Sequence, residues 1–436
     1  MHFHKKRKTF FNKRSYGKKT RKICIGGKPI GAGGYGCVFR PALKCKNKER
    51  PSSNKVSKLM TSKHSEEEYS DITKFKPLLA TIKDYKKYFL IDGIELCQPD
   101  KLTESDMMSF EDICSRAFKN DGLTKNNVND KLDELLVLTM PDGGVDIDKT
   151  YKGNDTNEMI LRANSSLIQL LNHGIVPMNK LNIYHCDIKG SNILIDTHGD
   201  TRLIDWGLSQ EYNPEDETNQ FSRTLQFNVP FSVLLLNSIF IKMYQSFITR
   251  QKGKPISSKE VFHFIKSYMT YFTKKHGHGH IRTVTLILKK IFGEQLYANS
   301  TSSNEDKVTY NFIYTYLTKI VMEYTKENQF LKKEFLERLF LPTVDIWGFI
   351  ISYVDLLSVP VERGIFSQLK HIFTTYLYEN PTTPINVDNL TRDLKKLIPT
   401  TSYSITDSVA YSNTSGRISQ KNKRVSRRSS RKIKYS

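Results

Sequence analysis

The stretch YHCDIKGSNILID, from Tyr184 to Asp196, constrains the 436-residue chain more than any other segment. Asp187, Lys189 and Asn192 stand there at offsets 0, +2 and +5, and a second acid, Asp205, follows 18 residues after Asp187 in DWG. NILID and TRLIDWG lie on either side of the turn THGD and read as a hairpin.

The surrounding pattern sets the fold class. Residues 24–60 are short apolar runs broken by glycine and by the loop NKERPSSN, the pattern of a small antiparallel sheet. An acidic helical stretch follows at about 64–79, and two strand-like runs, 88–97 and 134–140, flank a polar, less regular interval. The second run ends in the turn PDGG. From Asn157 to Leu181, Ile160, Leu161, Leu167, Leu170, Leu171 and Ile175 keep roughly helical spacing despite Gly174 and Pro177. Most of the remainder, to about 400, is helical in pattern. Sheet first and helices afterwards predicts an α+β fold in two lobes, divided at about 140.

The formal charge of +22 sits at the ends. Residues 1–23 hold ten Lys or Arg and residues 417–436 hold nine, with no acid in either. Between them 48 basic residues face 45 acidic ones, so the body is nearly neutral. Segments 1–23 and 401–436 are expected to be disordered basic tails, able to hold nucleic acid or an acidic protein. Ser426, Ser429 and Ser430 lie among arginines, where phosphate would weaken such binding. Six cysteines without a CxxC pair predict a reducing compartment and no disulfides. No segment reaches the roughly 18 apolar residues of a spanning helix, and Phe231 to Ile241 reads as core. A soluble, intracellular chain with no membrane contact is expected.

Asp187, Lys189, Asn192 and Asp205 together resemble the catalytic and metal-binding segments of eukaryotic-type protein kinases. Three further matches lie in the right order. IGAGGYGCVF places Gly31, Gly33, Gly36 and Val38 as a phosphate-covering loop, KVSKLM places Lys58 at a strand end, and VDIWGFIISY matches a buried DxW helix through Asp345 and Trp347. The resemblance implies a bilobal fold, a small β-rich lobe and a large helical one, and ATP with Mg²⁺ as cofactors. It implies that bare glycine backbone approaches the phosphates and that Lys58 neutralises them, paired with Glu66, Glu67 or Glu68, of which Glu68 fits best although the gap is short. Asp187 would receive or orient the substrate hydroxyl with Lys189 beside it, and Asn192 and Asp205 would hold the metal. Adenine would meet the connector after LLVLTM; Pro141 has no N–H, which leaves the amide of Met140 or Asp142.

Lys189, Gly207 and Thr224, six residues before Pro230, point to Ser/Thr protein kinases rather than small-molecule phosphotransferases, which usually lack the first two. A catalytically inactive nucleic-acid-binding or virion structural protein on the same fold is the other alternative; the intact Lys58, Asp187, Asn192 and Asp205 oppose it. Cys186 stands where most relatives carry the arginine that receives an activation-loop phosphate, and VPF (229–231) lacks the usual glutamate. An interval at 231–342, far longer than usual, reads as a helical insert. Divergent kinases with such tails and inserts are similar to those of large DNA viruses, which implies a host-cell or virion setting. HGHGH (276–280) reads as a flexible loop, since its glycines preorganise no metal geometry.

Overall fold

The computed structural model describes residues 27–152, 156–215, 221–298, 301 and 304–397. The basic tails and the contacts expected of them lie outside these residues.

Three short strands, β1 (Lys28–Ala32), β2 (Gly36–Arg40) and β3 (Lys55–Thr61), follow the glycine-broken runs, and β3 leads straight into α1 (Ser62–Leu79). With β4 (Glu95–Cys97) and β5 (Leu135–Pro141) they form an antiparallel sheet of order β1-β2-β3-β5-β4. The run 88–97 is not one strand. Gly93, at φ +67°, turns the chain, so that only Glu95–Cys97 pairs with β5 while Phe89 bridges Leu203 in the other half of the molecule.

Alternation along a strand gives the sheet two apolar faces. Leu138 of β5 and Met60 of β3 face the inner core, where α1 adds Ile72, Phe75 and Leu79. Leu135 and Val137 face outward and are covered by Phe110 and Phe118 of α2 (Phe110–Phe118). The polar interval before β5 thus supplies the cover of the outer face.

That cover also corrects the expectation of unpaired cysteines. Cys37 of β2 is disulfide-bonded to Cys114 of α2, and Cys45 to Cys97 of β4. The partners are 77 and 52 residues apart in sequence, so no local spacing marks them. Docking of α2 and β4 brings the paired Cα atoms to 5.2 and 5.9 Å, inside the reach of a disulfide. Cys186 is the free, buried cysteine among the described residues.

The second half opens with β6 (Val145–Asp146) and α3 (Ile147–Thr150). The periodic stretch up to Leu181 forms α4 (Thr156–Leu170), one wide turn at Leu171–Ile175, and α5 (Val176–Lys180). Pro177 falls in the first turn of α5, where the geometry tolerates a missing N–H. The expected hairpin is β8 (Ile193–Ile195) with β9 (Thr201–Leu203); β6 joins it as a third strand, and β7 (Ile183–Tyr184) pairs with β10 (Gln210–Glu211).

Helices follow: α6 (Ser238–Arg250), α7 (Ser258–His276), α8 (Ile281–Phe292), α9 (Glu294–Tyr297), α10 (Glu305–Glu323), α11 (Lys332–Phe335), α12 (Leu341–Ile351), α13 (Arg363–Phe373) and α14 (Val387–Leu394). A reciprocal cap between Ser257 and Glu260 starts α7 by satisfying two otherwise orphaned N–H groups. The interval 231–342 shares the main core: Phe231 meets Tyr316 of α10 and Trp347 of α12 with ring centres 5.3 and 5.5 Å apart. Of the stretch Phe231 to Ile241, expected to be core, Phe231–Leu236 and Phe240 are buried, whereas Ser238 is exposed and Ile239 and Ile241 are half-buried; no helix among the described residues is long and apolar enough to cross a membrane.

Candidate active site

Strand register builds the upper wall of the cleft. Gly31 stands opposite Val38, Val38 opposite Lys58, and Lys58 opposite Leu138, one row across four strands. The glycines divide by role. A Cβ on Gly31 or Gly33 would meet nothing within 4 Å, so both leave bare backbone beside open space. One on Gly36 would come within 2.3 Å of Met60 Cγ and 2.8 Å of the Leu59 carbonyl, so Gly36 lets β2 lie close against β3.

Lys58 Nζ lies 2.5 Å from Glu68 Oε2. The ten-residue gap suffices because no loop separates β3 from α1. Glu66 and Glu67 point to solvent while Glu68 is half-buried. Burial works against the Lys58 ammonium, but the charges of Glu68 and Asp205 outweigh it and hold its pKa above the ordinary value. At the connector, Met140 stands opposite Val56, and the Asp142 N–H is already given to the Asn54 carbonyl at 2.9 Å. Met140 lies within the β3–β5 ladder two residues from that pair, so its N–H faces the same partner strand.

The lower wall hangs on a buried carboxylate. Asp345, on the buried helix α12, accepts the backbone N–H of His185 at 2.9 Å, that of Cys186 at 2.7 Å, and Asn179 Nδ2 at 2.7 Å. Burial pushes its pKa up, while these donors and His185 pull it down. Cys186, held at φ +59°, turns the chain so that Asp187 points into the cleft. Asp187 Oδ2 accepts Lys189 Nζ at 2.7 Å and Asn192 Nδ2 at 2.9 Å.

Asn192 Nδ2 also bonds the Asp187 carbonyl at 2.9 Å, so its Oδ1 is left as an acceptor. Asp205 is exposed, at φ +69°, and its carboxylate makes no hydrogen bond among the described residues. A hard cation suits this pair of oxygen donors. Trp206 anchors the segment beneath, with ring centres 5.7 Å from Phe89, 6.2 Å from Phe75 and 5.0 Å from His185.

Two features escaped sequence reading. Thr224, expected beside Asp187 and Lys189, bonds neither among the described residues; the side chain that reaches Asp187 is Asn228, whose Nδ2 is 2.8 Å from Oδ1. Arg223 in turn donates to the carbonyls of Cys186 at 2.6 Å and Leu208 at 2.7 Å. Nothing about Asn228 in QFNVP marks it beforehand, since it acts through a contact 41 residues away. The histidine loop 276–280, expected to be flexible, is tied down. The His280 N–H bonds the Leu225 carbonyl at 2.8 Å and His278 Nδ1 lies 2.7 Å from the Tyr310 hydroxyl. Partial burial, then the nearby Lys189 charge, lower the pKa of His280.

A five-stranded sheet over a mainly helical half, with a lysine–glutamate pair above and an Asp-centred loop below, is the α+β bilobal fold of protein kinases. Residues 123–237 match the protein kinase domain family model. The chain is similar to a mitogen-activated protein kinase kinase MKK2 of Pyricularia oryzae, with 33% identity over 100 residues that cover 22% of this chain and 18% of that protein. It is also similar to the serine/threonine-protein kinase STE11 of Saccharomyces cerevisiae, 39% over 56 residues, covering 13% and 8%. Cyclin-dependent kinase 12 of Drosophila melanogaster is 36% identical over 70 residues, covering 15% and 6%. The chain therefore spans less than a fifth of the length of these curated relatives.

Proposed function

We propose that this chain is a serine/threonine protein kinase that transfers the γ-phosphoryl group of ATP to protein hydroxyls. The observation that carries the reading is convergence on one cleft: the Lys58–Glu68 pair, the bare backbone of Gly31 and Gly33, and Asp187 with Lys189 and Asn192. Phosphoryl transfer demands little covalent chemistry from a protein, so a site that positions groups and offsets charge suffices. Asn192 Oδ1 and Asp205 would hold Mg²⁺, which when bound offsets charge on the phosphates. Lys58 faces the phosphate side beneath the glycine strand. Asp187 orients the acceptor hydroxyl and takes its proton as the new O–P bond forms and the bond from the γ-phosphorus to the β,γ-bridging oxygen breaks to release ADP, while Lys189 stands beside the transferring group. Thr224 belongs to the segment that shapes the acceptor side, and Val38 and Met140 to the nucleotide side.

Incubating the chain with γ-labelled Mg·ATP and generic protein substrates should give phosphoserine or phosphothreonine in the wild type. Asp187→Asn should lower transfer by roughly 10²- to 10⁴-fold with the fold retained. Transfer unchanged by that substitution sinks the reading.

A further inference from the structure

We propose that Asn228 is a positioning residue for phosphoryl transfer, which fixes the Asp187 carboxylate in the orientation it presents to the acceptor hydroxyl. The inference rests on the kinase reading above. Asn228 is 1% exposed, and its Nδ2 protons are divided between Asp187 Oδ1 at 2.8 Å and the Ile188 carbonyl at 3.3 Å. Lys189 and Asn192 both act on the other oxygen, Oδ2. Asn228 is thus the donor to Oδ1 among the described residues.

The division matters because a carboxylate swings about a broad terminal torsion unless both its oxygens are held. Lys189 must also serve the transferring group, so its hold on Oδ2 weakens as charge moves. Asn228 has no second task. As a neutral donor it takes one lone pair of Oδ1 and leaves the other for the hydroxyl proton.

The segment that carries Asn228 is fastened at almost every step. Arg223 bonds the carbonyls of Cys186 and Leu208, the Leu225 carbonyl accepts His280 N–H, and the Phe227 carbonyl accepts Trp347 Nε1 at 3.2 Å. From below, Gly348 of α12 allows close approach: a Cβ there would lie 2.5 Å from the Ile188 carbonyl and 3.1 Å from that of Asn228. A side chain held this firmly reaches Asp187 without any change in the segment, whereas Thr224 on the same segment does not reach it.

The test compares Asn228→Leu, which keeps approximate shape but no donor, Asn228→Asp, which keeps volume but replaces the donor by an acceptor, and Thr224→Val. With the full chain, kcat for a protein acceptor should fall roughly 10- to 100-fold in both Asn228 variants, with KM for ATP within about twofold of wild type. Thr224→Val, on the same segment, should lower kcat less than either Asn228 variant does. Thermal melts with bound nucleotide show which variants are folded. A folded Asn228→Leu or Asn228→Asp protein with wild-type kcat overturns the proposal and leaves the kinase reading standing. Loss of kcat in Thr224→Val alone overturns it in favour of the threonine. A wild-type chain whose transfer is absent or indifferent to Asp187→Asn overturns both.

Discussion

Charged residues at the edge of the cleft differ in how their surroundings hold them. Asp148, on α3, approaches the loop after Asp187 so closely that a Cβ on Gly190 would lie 1.8 Å from its Oδ1. Burial, then the charges of Asp355 and Asp146, push its pKa up to about 6. A carboxyl raised in the folded state binds its proton more tightly there than in the unfolded chain. It therefore adds stability below the ordinary carboxylate range, and that contribution is lost as pH rises through about 6. Asp148→Asn should accordingly be more stable than wild type at pH 8, by about 1–2 kcal/mol after solvent screening, with the advantage shrinking toward pH 4.5. Denaturant titrations across that range would show it; a difference independent of pH would contradict the assignment. Lys58 and Asp187 were legible because their offsets in the sequence are fixed by the local turns that hold them. Asn228 was not, because its side chain meets that of Asp187 across 41 residues of sequence, a contact that tertiary packing alone creates.

Among elements, α12 does most to set the site. Every residue from Thr343 to Ile351 is buried, and from this helix Asp345 orients the backbone just before Asp187 while Trp347 and Gly348 support the segment at 227–228. Replacing an interior helical glycine by alanine ordinarily gains about 1 kcal/mol of helix propensity. Here the new methyl would meet the Ile188 carbonyl at 2.5 Å, so the sign reverses. Gly348→Ala should lose about 1–3 kcal/mol and lower kcat, because the displaced atoms belong to the residue after Asp187. A melting temperature equal to or above wild type would refute this. The element pattern was largely readable, since α1, β3, β5 and the β8–β9 hairpin follow apolar periodicity. The split of 88–97 was not, because period-2 alternation does not say which half finds a partner strand.

At the scale of the molecule, the outer face of the sheet is closed by covalent bonds as well as by apolar contacts. Cys37–Cys114 and Cys45–Cys97 close loops of the β-rich half, and chain-entropy reasoning gives each about 2–4 kcal/mol. Reduction should therefore lower the melting temperature of the wild type and leave the Cys37→Ser/Cys114→Ser/Cys45→Ser/Cys97→Ser variant unmoved. A wild-type melt indifferent to reductant would show that the pairs do not form in solution. The same sheet presents its inner face to the core that runs on into the helical half, so one apolar continuum holds the glycine strand and Lys58 above Asp187.

By itself the sequence determined the division into sheet and helices and most residues of the candidate cleft: Gly31, Gly33, Gly36, Val38, Lys58, Glu68, Asp187, Lys189, Asn192 and Asp205. These lie on strands and turns whose geometry is set within a few residues, so spacing carries the information. Tertiary structure alone decided the disulfides, the anchoring of the histidine loop on Leu225, and the donor to Asp187 Oδ1. Each depends on two segments far apart in the chain being pressed together by burial, and burial is a property of the packed whole.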